Sequence, residues 1–542
     1  MRRWWTDAAV LLTVAGLVSA TLAACGGGHH SPHPSPPHPT DTRFYSPPSS
    51  HSGVDPIARG PITLRGATRG GTVTVLTHDG LHGSLDPSAA STRDVTSILS
   101  GLVTRSLTQY RYDRASRQMV LTPDISTDLG EHNDHYTKWI FDVRGGVRFQ
   151  DGTRVTASDV VRGIRRCLRS PASRTRPCLS APIRSVQVHH HRMVMIKLRS
   201  PYPDLPYLVA LPAFGPIEKG SRDTGATGPY RVRQFRPGHR LVLVRNPDWD
   251  PATDAARTQY PDRYVFRSGL REAQIQRTLR RDRGAAGSTL TYDDMRPAAF
   301  SAPDAQDRLV RGPTPCTTYL AVDGRTIADP AVRRALIWAF PYRRVIRAEG
   351  LTPGVTAVPA TNLEPPGIPG RTAVTVHGHA GFATRPLVAR RMLARAQAVG
   401  TRVRFSDDPA HRAGVTAEQA MVRSLRTSGF YPEPVPVDSS VDIRIATRCG
   451  RWPVGSEWIP PVYRSTGIAR YVAGATRHIE SLPLDLSGPA WNRLDHAVLR
   501  RWQPIVPLWY TGVAMAHGSR IEGMADDTVT GMPTWSHLWV QE

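Results

Sequence analysis

The sequence predicts an α/β fold with more than one domain, and three observations carry that expectation. The chain has 542 residues, more than a single hydrophobic core usually organises. Short runs of strand character alternate with stretches of helical period along its length. Hydrophobic residues make up 40% of the chain, enough to fill a sizeable core and to exclude wholesale disorder. A mean hydropathy of −0.33 excludes a multi-span membrane protein.

The first strand is Thr72-Val73-Thr74-Val75-Leu76, which alternates after the Gly70-Gly71 pair. A helical stretch follows through Ile98-Leu99 and Leu102-Val103. Residues 136–143 alternate again and break at Gly145-Gly146. The Asp151-Gly152-Thr153 turn leads into a helix reaching Ile164 and Leu168, with Thr156 or Ser158 as its cap. His189-His190-His191 precedes the alternating run Met193-Val194-Met195-Ile196, so a solvated hairpin turn is expected there rather than a metal site. A helix over residues 386–396 carries Leu387, Met392 and Leu393 at helical spacing. Val403-Arg404-Phe405 and residues 417–425 then read as a βα pair.

A formal net charge of +24 would draw the chain toward nucleic acid, anionic lipid or acidic small molecules. Its only lysines are Lys138, Lys197 and Lys219, so the excess is arginine, and it is dispersed. No basic block interleaved with aromatics appears, as a phosphate track requires. No nucleic-acid partner is expected, and an arginine-biased genome is the plainer explanation of the charge.

At the N-terminus, Met1-Arg2-Arg3 precedes an apolar stretch over residues 8–22, too short to span a bilayer comfortably. Leu22-Ala23-Ala24-Cys25 then resembles the lipobox of bacterial lipoproteins. That resemblance implies removal of residues 1–24 as a signal peptide and acylation of Cys25, anchoring the protein to the extracytoplasmic face of the cell membrane. The alternative is an ordinary signal peptide that contains a cysteine. Residues 25–65, rich in Pro, His and Ser, read as an extended tether, at about 3 Å per residue.

Cys167, Cys178, Cys316 and Cys449 form an even set in an exported chain, which suggests two disulfides. Three pairings are possible. Local separation favours Cys167 with Cys178, leaving Cys316 with Cys449. Cysteine and histidine spacings for zinc are absent, so no metal is expected.

One long run is specific: Arg144-Gly145-Gly146-Val147-Arg148-Phe149-Gln150-Asp151-Gly152-Thr153-Arg154-Val155-Thr156-Ala157-Ser158-Asp159-Val160. It resembles a signature of the peptide/nickel class of bacterial extracellular solute-binding proteins (family 5), which serve ABC importers. Further runs follow in that family's order: residues 200–206, Thr227-Gly228-Pro229-Tyr230, Leu241-Val242-Leu243-Val244-Arg245-Asn246-Pro247, residues 329–336 and residues 504–510. The resemblance implies a two-lobed, periplasmic-binding-protein-like fold with an enlarged first lobe and a ligand cleft between the lobes. Crossings are expected near residues 313–320 and 504–510. Lobe one is then 66–312 plus 505–542, and lobe two is 313–504.

Enzyme motifs are absent. The sequence holds no GxSxG elbow, HExxH, Walker loop or well-formed dinucleotide fingerprint, and Ser84 beside His82 reads as a loop. The resemblance therefore implies a non-catalytic, monomeric receptor without a cofactor, delivering di- or oligopeptides to an ABC permease.

The segment over residues 448–461 is the most informative for cargo. In the family the matching run carries an aspartate that pairs with a peptide's α-ammonium. Aligning Trp452-Pro453 and Ile459-Pro460-Pro461 puts Arg451 in that slot, while a register shift makes Glu457 the anion instead. A permanent cation there attracts carboxylate or phosphate and repels ammonium. Trp452, Trp458, Tyr463, Trp509 and Tyr510 are aromatic candidates for cleft or core alike. The resemblance also places Asp86 and a loop with Tyr110 and Tyr112 along the cleft. Arg451, the aromatics and the net charge support an alternative cargo that is anionic or planar, such as haem. A further alternative is an envelope interaction protein that does not transport.

Cys25→Ala is expected to release the protein from the membrane fraction without unfolding it, because the tether has no packing role. Retention after a salt wash would show that another element anchors the chain.

Overall fold

The computed structural model describes residues 53–542, apart from residues 91, 170–181, 221–224, 296–306, 375–380, 407–413 and 437–438. Cys25 and the signal sequence lie outside the described residues, as does Cys178, the expected partner of Cys167. The folded body begins before residue 66. The Gly53 carbonyl accepts from the Leu121 amide at 2.9 Å, Asp55 pairs with Arg111 at 2.8 Å, and Ala58 and Leu64 are buried. A tether reaching residue 65 is therefore too long at its end, because these apolar residues bury against the body.

Strand β1 (Thr72–Leu76) buries Val73 and Val75. A helix over Arg93–Ile98 continues as a π-helical turn, Leu99–Val103. Strands β2 (Thr108–Asp113) and β3 (Gln118–Pro123) pair antiparallel, with Tyr110 opposite Leu121 and Tyr112 opposite Met119. Tyr110 and Tyr112 thus stand on a strand, not in a loop as the resemblance implies, because their alternation matches that of the apolar run opposite. β4 (Lys138–Asp142) leads to helix α1 (Ala157–Arg169). At the start of α1, Asp159 Oδ2 accepts from both the amide and the hydroxyl of Thr156, at 2.9 and 2.6 Å. β5 (Ile183–His189) and β6 (Met193–Leu198) form a hairpin. His190 and His191 turn it at φ 44° and 61°.

Nine further strands join β1 in one large sheet. They are β7 (Tyr230–Arg236), β8 (Arg240–Arg245), β9 (Arg263–Arg267), β10 (Thr289–Thr291) and β11 (Leu309–Val322). After helices α2 (Pro330–Ala339) and α3 (Pro386–Arg395) come β12 (Arg402–Phe405), α4 (Gly414–Thr427), β13 (Tyr431–Pro434) and β14 (Ile443–Cys449). Helix α5 (Leu484–Arg501) precedes β15 (Ile505–His517). The sheet order is β13-β12-β14-β11-β15-β10-β1-β9-β8-β7, with a short strand, Ala357–Pro359, added on β15. On α3 the inward face is Ala389 and Leu393, whereas Leu387 is 66% exposed, so its apolar spacing does not mark the buried stripe.

β11 and β15 run antiparallel from Leu309 opposite Ala516 to Ala321 opposite Ile505. Their register slips between Pro313 and Thr317, where Pro313 and Pro315 have no N–H to give the ladder. Apolar clusters sort to either side of this pair. One gathers residues 107–214 around α1, and another joins β1 and β8–β10 to the C-terminal segment. Two more fill the region from Leu320 to Trp509. Trp452 and Val454 are exceptions, for they join the cluster of residues 107–214.

Cys316 on β11 lies directly opposite Cys449 on β14, and the two are joined as a disulfide across a separation of 133 residues. Closing so long a loop removes much unfolded-state freedom. Replacing both with serine is expected to cost about 2–5 kcal/mol, read as a lower midpoint in urea unfolding. An unchanged midpoint would mean that the strand pairing alone fixes this register.

Candidate functional site

The loop after β14 starts at the disulfide. The Gly450 amide donates to the Pro315 carbonyl at 2.8 Å, fixing the loop to β11. A side chain at Gly450 would collide with the Trp458 ring, its Cβ only 2.0 Å from that ring. Arg451 then folds back within the loop. Its Nε and Nη2 donate to the two carboxylate oxygens of Glu457 at 3.1 and 3.0 Å, a forked pair. Its backbone amide adds a third bond to Glu457, at 3.2 Å. The same guanidinium lies 4.5 Å from the centroid of the Trp452 ring.

Glu457 is buried, and Arg448 holds it from the other side, donating to its carbonyl at 2.6 Å with Nη2 3.8 Å from its carboxylate. Arg451 itself is 40% exposed at its side chain, so this pair keeps contact with water. Both charges singled out in the sequence thus lie in one loop and satisfy each other.

Trp452 is 2% exposed and packs into the first-lobe cluster with Leu205 and Tyr207. Next to it Ser456 donates its hydroxyl to Asp204 Oδ2 at 2.8 Å. The loop over residues 448–461 therefore meets the 200–208 segment, and this contact is the seam considered below. Asp204 is 2% exposed, and its Oδ1 has no hydrogen-bond partner among the described residues. Burial pushes its carboxyl up to about 7; the Ser456 bond opposes the shift, and Glu480 and Glu457 add to it.

The other expected site residues lie elsewhere. Trp458 is fully buried in the cluster with Leu363, Ile459 and Trp491. Tyr463 sits in that cluster too, donating its hydroxyl to Asp495. Trp509 belongs to the second-lobe cluster, and the Tyr510 hydroxyl accepts from Arg371 at 2.9 Å. Asp86 closes its own turn by accepting from the Ser88 amide and hydroxyl, and pairs with Arg166 on α1. Tyr110 donates to the Tyr207 carbonyl at 2.7 Å and lines a cavity of about 40 Å³ with Gln109, Asp527 and Trp535. Of the six residues named for the cleft, Arg451, Trp452 and Glu457 come together, while Trp458, Asp86 and Tyr110 do not join them. Asp204 and Ser456 are the seam residues that sequence reasoning missed; the signal was an acid set among prolines and tyrosine in the 200–206 run.

The model of the family described as bacterial extracellular solute-binding proteins, family 5, middle region, matches residues 120–448, more than half of the chain. No curated protein matches the sequence. Among solved structures, the clavulanic acid biosynthesis oligopeptide binding protein 2 is 20% identical, with a TM-score of 0.73 over 91% of this chain and 100% of its own. The murein tripeptide binding protein MppA of Escherichia coli is 17% identical, with a TM-score of 0.61 over 88% of this chain and 99% of its own. The binding protein DppA of Helicobacter pylori, in complex with the peptide STSA, is 14% identical, with a TM-score of 0.59 over 88% and 99%. At such identities the likeness speaks for the two-lobed fold alone. The family match goes further: the chain belongs to the bacterial extracellular solute-binding proteins of family 5, which are receptors rather than enzymes.

Proposed function

We propose that this protein is the lipid-anchored receptor of an ABC importer and that its cargo is a di- or oligopeptide held between the lobes. The observation that carries the reading is the seam itself. Loop 448–461 and segment 200–208, far apart in sequence, meet there through Trp452, Ser456 and Asp204. Solved proteins of the same fold are named for oligopeptides and a murein tripeptide, and one holds a peptide. We assign residues 66–312 with 505–542 to lobe one and residues 313–504 to lobe two, Cys25 to the anchor, and the permease to the membrane partner.

A planar cargo such as haem needs stacking platforms. Trp458, Tyr463, Trp509 and Tyr510 are all buried in cores, which leaves Trp452 alone among the five aromatics at the seam. A peptide needs no such platform, because its backbone groups and charged ends supply the contacts. The geometry therefore favours peptide over haem.

Screening a broad peptide library by thermal shift is expected to give ligands that raise the melting temperature by mass action. No shift with any peptide, together with a difference spectrum on adding haem, would overturn the peptide reading.

Trp452 tests the closure that such a receptor requires. Its indole buries against lobe one from a loop that is anchored in lobe two by the disulfide and Trp458. Trp452→Ala is expected to favour an open arrangement, read as a larger radius of gyration in solution scattering of the ligand-free protein. A lower melting temperature with an unchanged radius would make Trp452 an ordinary core residue.

A further inference from the structure

The arginines of the first lobe are dispersed in sequence, but the large sheet gathers five of them on one face. Strands β7, β8 and β9 are antiparallel neighbours at one end of that sheet. Their register sets Arg236 opposite Arg240 and Arg240 opposite Arg267, so three arginines stand in one row across three strands. Further along β8, on the same face, Val244 lies between Arg231 and Arg263 and completes a second row. The other face carries Leu241, Leu243, Tyr264 and Phe266, all in the core. Burying them turns the arginines outward, and all five are exposed.

Like charges directly opposite one another weaken a sheet. Arg245 of β8 meets Asp262 at 3.2 Å, whereas none of the five has an acid within ion-pair distance among the described residues. Charges on an edge strand discourage a second chain from pairing with it, which accounts for Arg231 and Arg236 on β7. β8 and β9 are paired on both sides, so Arg240, Arg263 and Arg267 protect no edge. An arginine-rich composition explains how many arginines there are, not why they stand opposite one another.

We propose that this face docks on an anionic lipid bilayer. Guanidinium groups take phosphate in forked pairs. Two rows about 13 Å apart, the longer spanning about 10 Å, offer five such contacts at once to an extended phosphate-bearing surface. A sheet face is open and lacks the concavity that holds a small ligand. Between the rows lie Gln234, Val242 and Val265, none of them an aromatic platform for the bases of a nucleic acid. The bilayer as occupant rests on the anchored reading above. At about 3.3 Å per residue the chain from Cys25 to Gly53 can extend to roughly 90 Å, enough to let the body turn this face to the membrane. A receptor docked in this way lies on the membrane in a set orientation instead of ranging over the length of its tether.

The test uses the full-length chain carrying Cys25→Ala, so that acylation does not hide the contact. Sedimentation is measured with vesicles of phosphatidylglycerol mixed with phosphatidylcholine and with vesicles of phosphatidylcholine alone. The sheet variant is Arg236→Gln/Arg240→Gln/Arg267→Gln. A charge-matched control, Arg343→Gln/Arg344→Gln/Arg347→Gln, changes exposed arginines of the helix Tyr342–Ala348 in the second lobe. Anionic vesicles are expected to bind the parent chain at least about tenfold more tightly than neutral ones. The sheet variant is expected to lose about a hundredfold, at roughly fivefold per arginine near an anionic surface, and the control about fivefold or less. Raising salt from about 0.1 to 1 M shortens the Debye length from about 10 to 3 Å and should release the protein.

Equal losses in the two variants would mean that net charge alone attracts the chain and would overturn the proposal. Equal binding to neutral and anionic vesicles would overturn it too, leaving the anchor to the membrane-fraction test. Capture of single-stranded DNA or an acidic polypeptide without binding to anionic vesicles would give the face to another partner, with the same consequence. If the sheet variant does not fold, the parent chain decides. Dicarbonyl labelling of arginine, read by mass spectrometry, is expected to fall at Arg236, Arg240 and Arg267 when anionic vesicles are present, and unchanged labelling there would refute the docking.

Discussion

The antiparallel pairing of β11 with β15 is the constraint from which the site takes its geometry. At about 3.3 Å per residue, strands of this length reach roughly 45 Å, enough to run through both halves of the molecule. β15 carries the Ala357–Pro359 strand and β10, while β11 carries β14. Through β14 the pairing fixes Cys449 opposite Cys316 and Gly450 against Pro315, and so the start of loop 448–461. A slip of one residue would turn every side chain of β11 to the wrong face and separate the cysteines. The ladder is interrupted at the prolines just where Gly312 passes Asp526. A Cβ there would lie 1.9 Å from the aspartate oxygen, so the crossing is narrow as well as irregular.

Behind the loop stands a buried polar network that makes its shape specific. A Cβ on Gly455 would lie 2.4 Å from Glu364 Oε1, which places that carboxyl directly under the loop backbone. Asn492 of α5 donates to Glu364 at 2.9 Å, and Asp495 accepts from the Leu363 amide at 2.7 Å. Arg371 donates to the Glu364 carbonyl and to Tyr510 on β15, at 2.8 and 2.9 Å. Two acids share one arginine here. Burial pushes Glu364 up to about 8, with Asp495 nearby adding to the shift, and burial lifts Asp495 to about 6. Arg371 opposes the upward shift of both acids, and Glu364 is the one that holds its proton more tightly. The first lobe solves the same problem by matching numbers: two arginines meet two aspartates. There, against the upward push of burial, Arg105 and Arg257 hold Asp254 well below the usual carboxylate range.

The elements whose signals are local were legible in the sequence. The Asp151-Gly152-Thr153 turn, the helix after it and the histidine hairpin depend on residues a few positions apart. The α/β alternation and the strands at 313–320 and 505–510 were legible for the same reason, since β-prone runs mark them directly. Roles that depend on distant partners were not. Nothing in the local pattern distinguishes Trp452, which reaches the seam, from Trp458, which fills a core six positions later. Asp86 meets its partner 80 residues away, and Ser456 meets Asp204 across 252. The charge on Arg451 was legible, but its neutralisation by Glu457 requires the loop to double back, which Gly450 and Gly455 permit through close approach.

The seam's composition bears on how a ligand could govern it. Arg451 and Glu457 cancel within one loop, so the lobes can meet without burying an unmatched arginine. In this loop Trp452 and Val454 pack into the cluster of residues 107–214, and Ser456 adds one hydrogen bond to Asp204, worth about 0.5–1.5 kcal/mol net. Burial makes ionisation of Asp204 costly and pushes its carboxyl up to about 7, although the Ser456 bond opposes the shift. Apolar burial is indifferent to charge, whereas Asp204, with its carboxyl shifted in this way, changes charge near neutral pH.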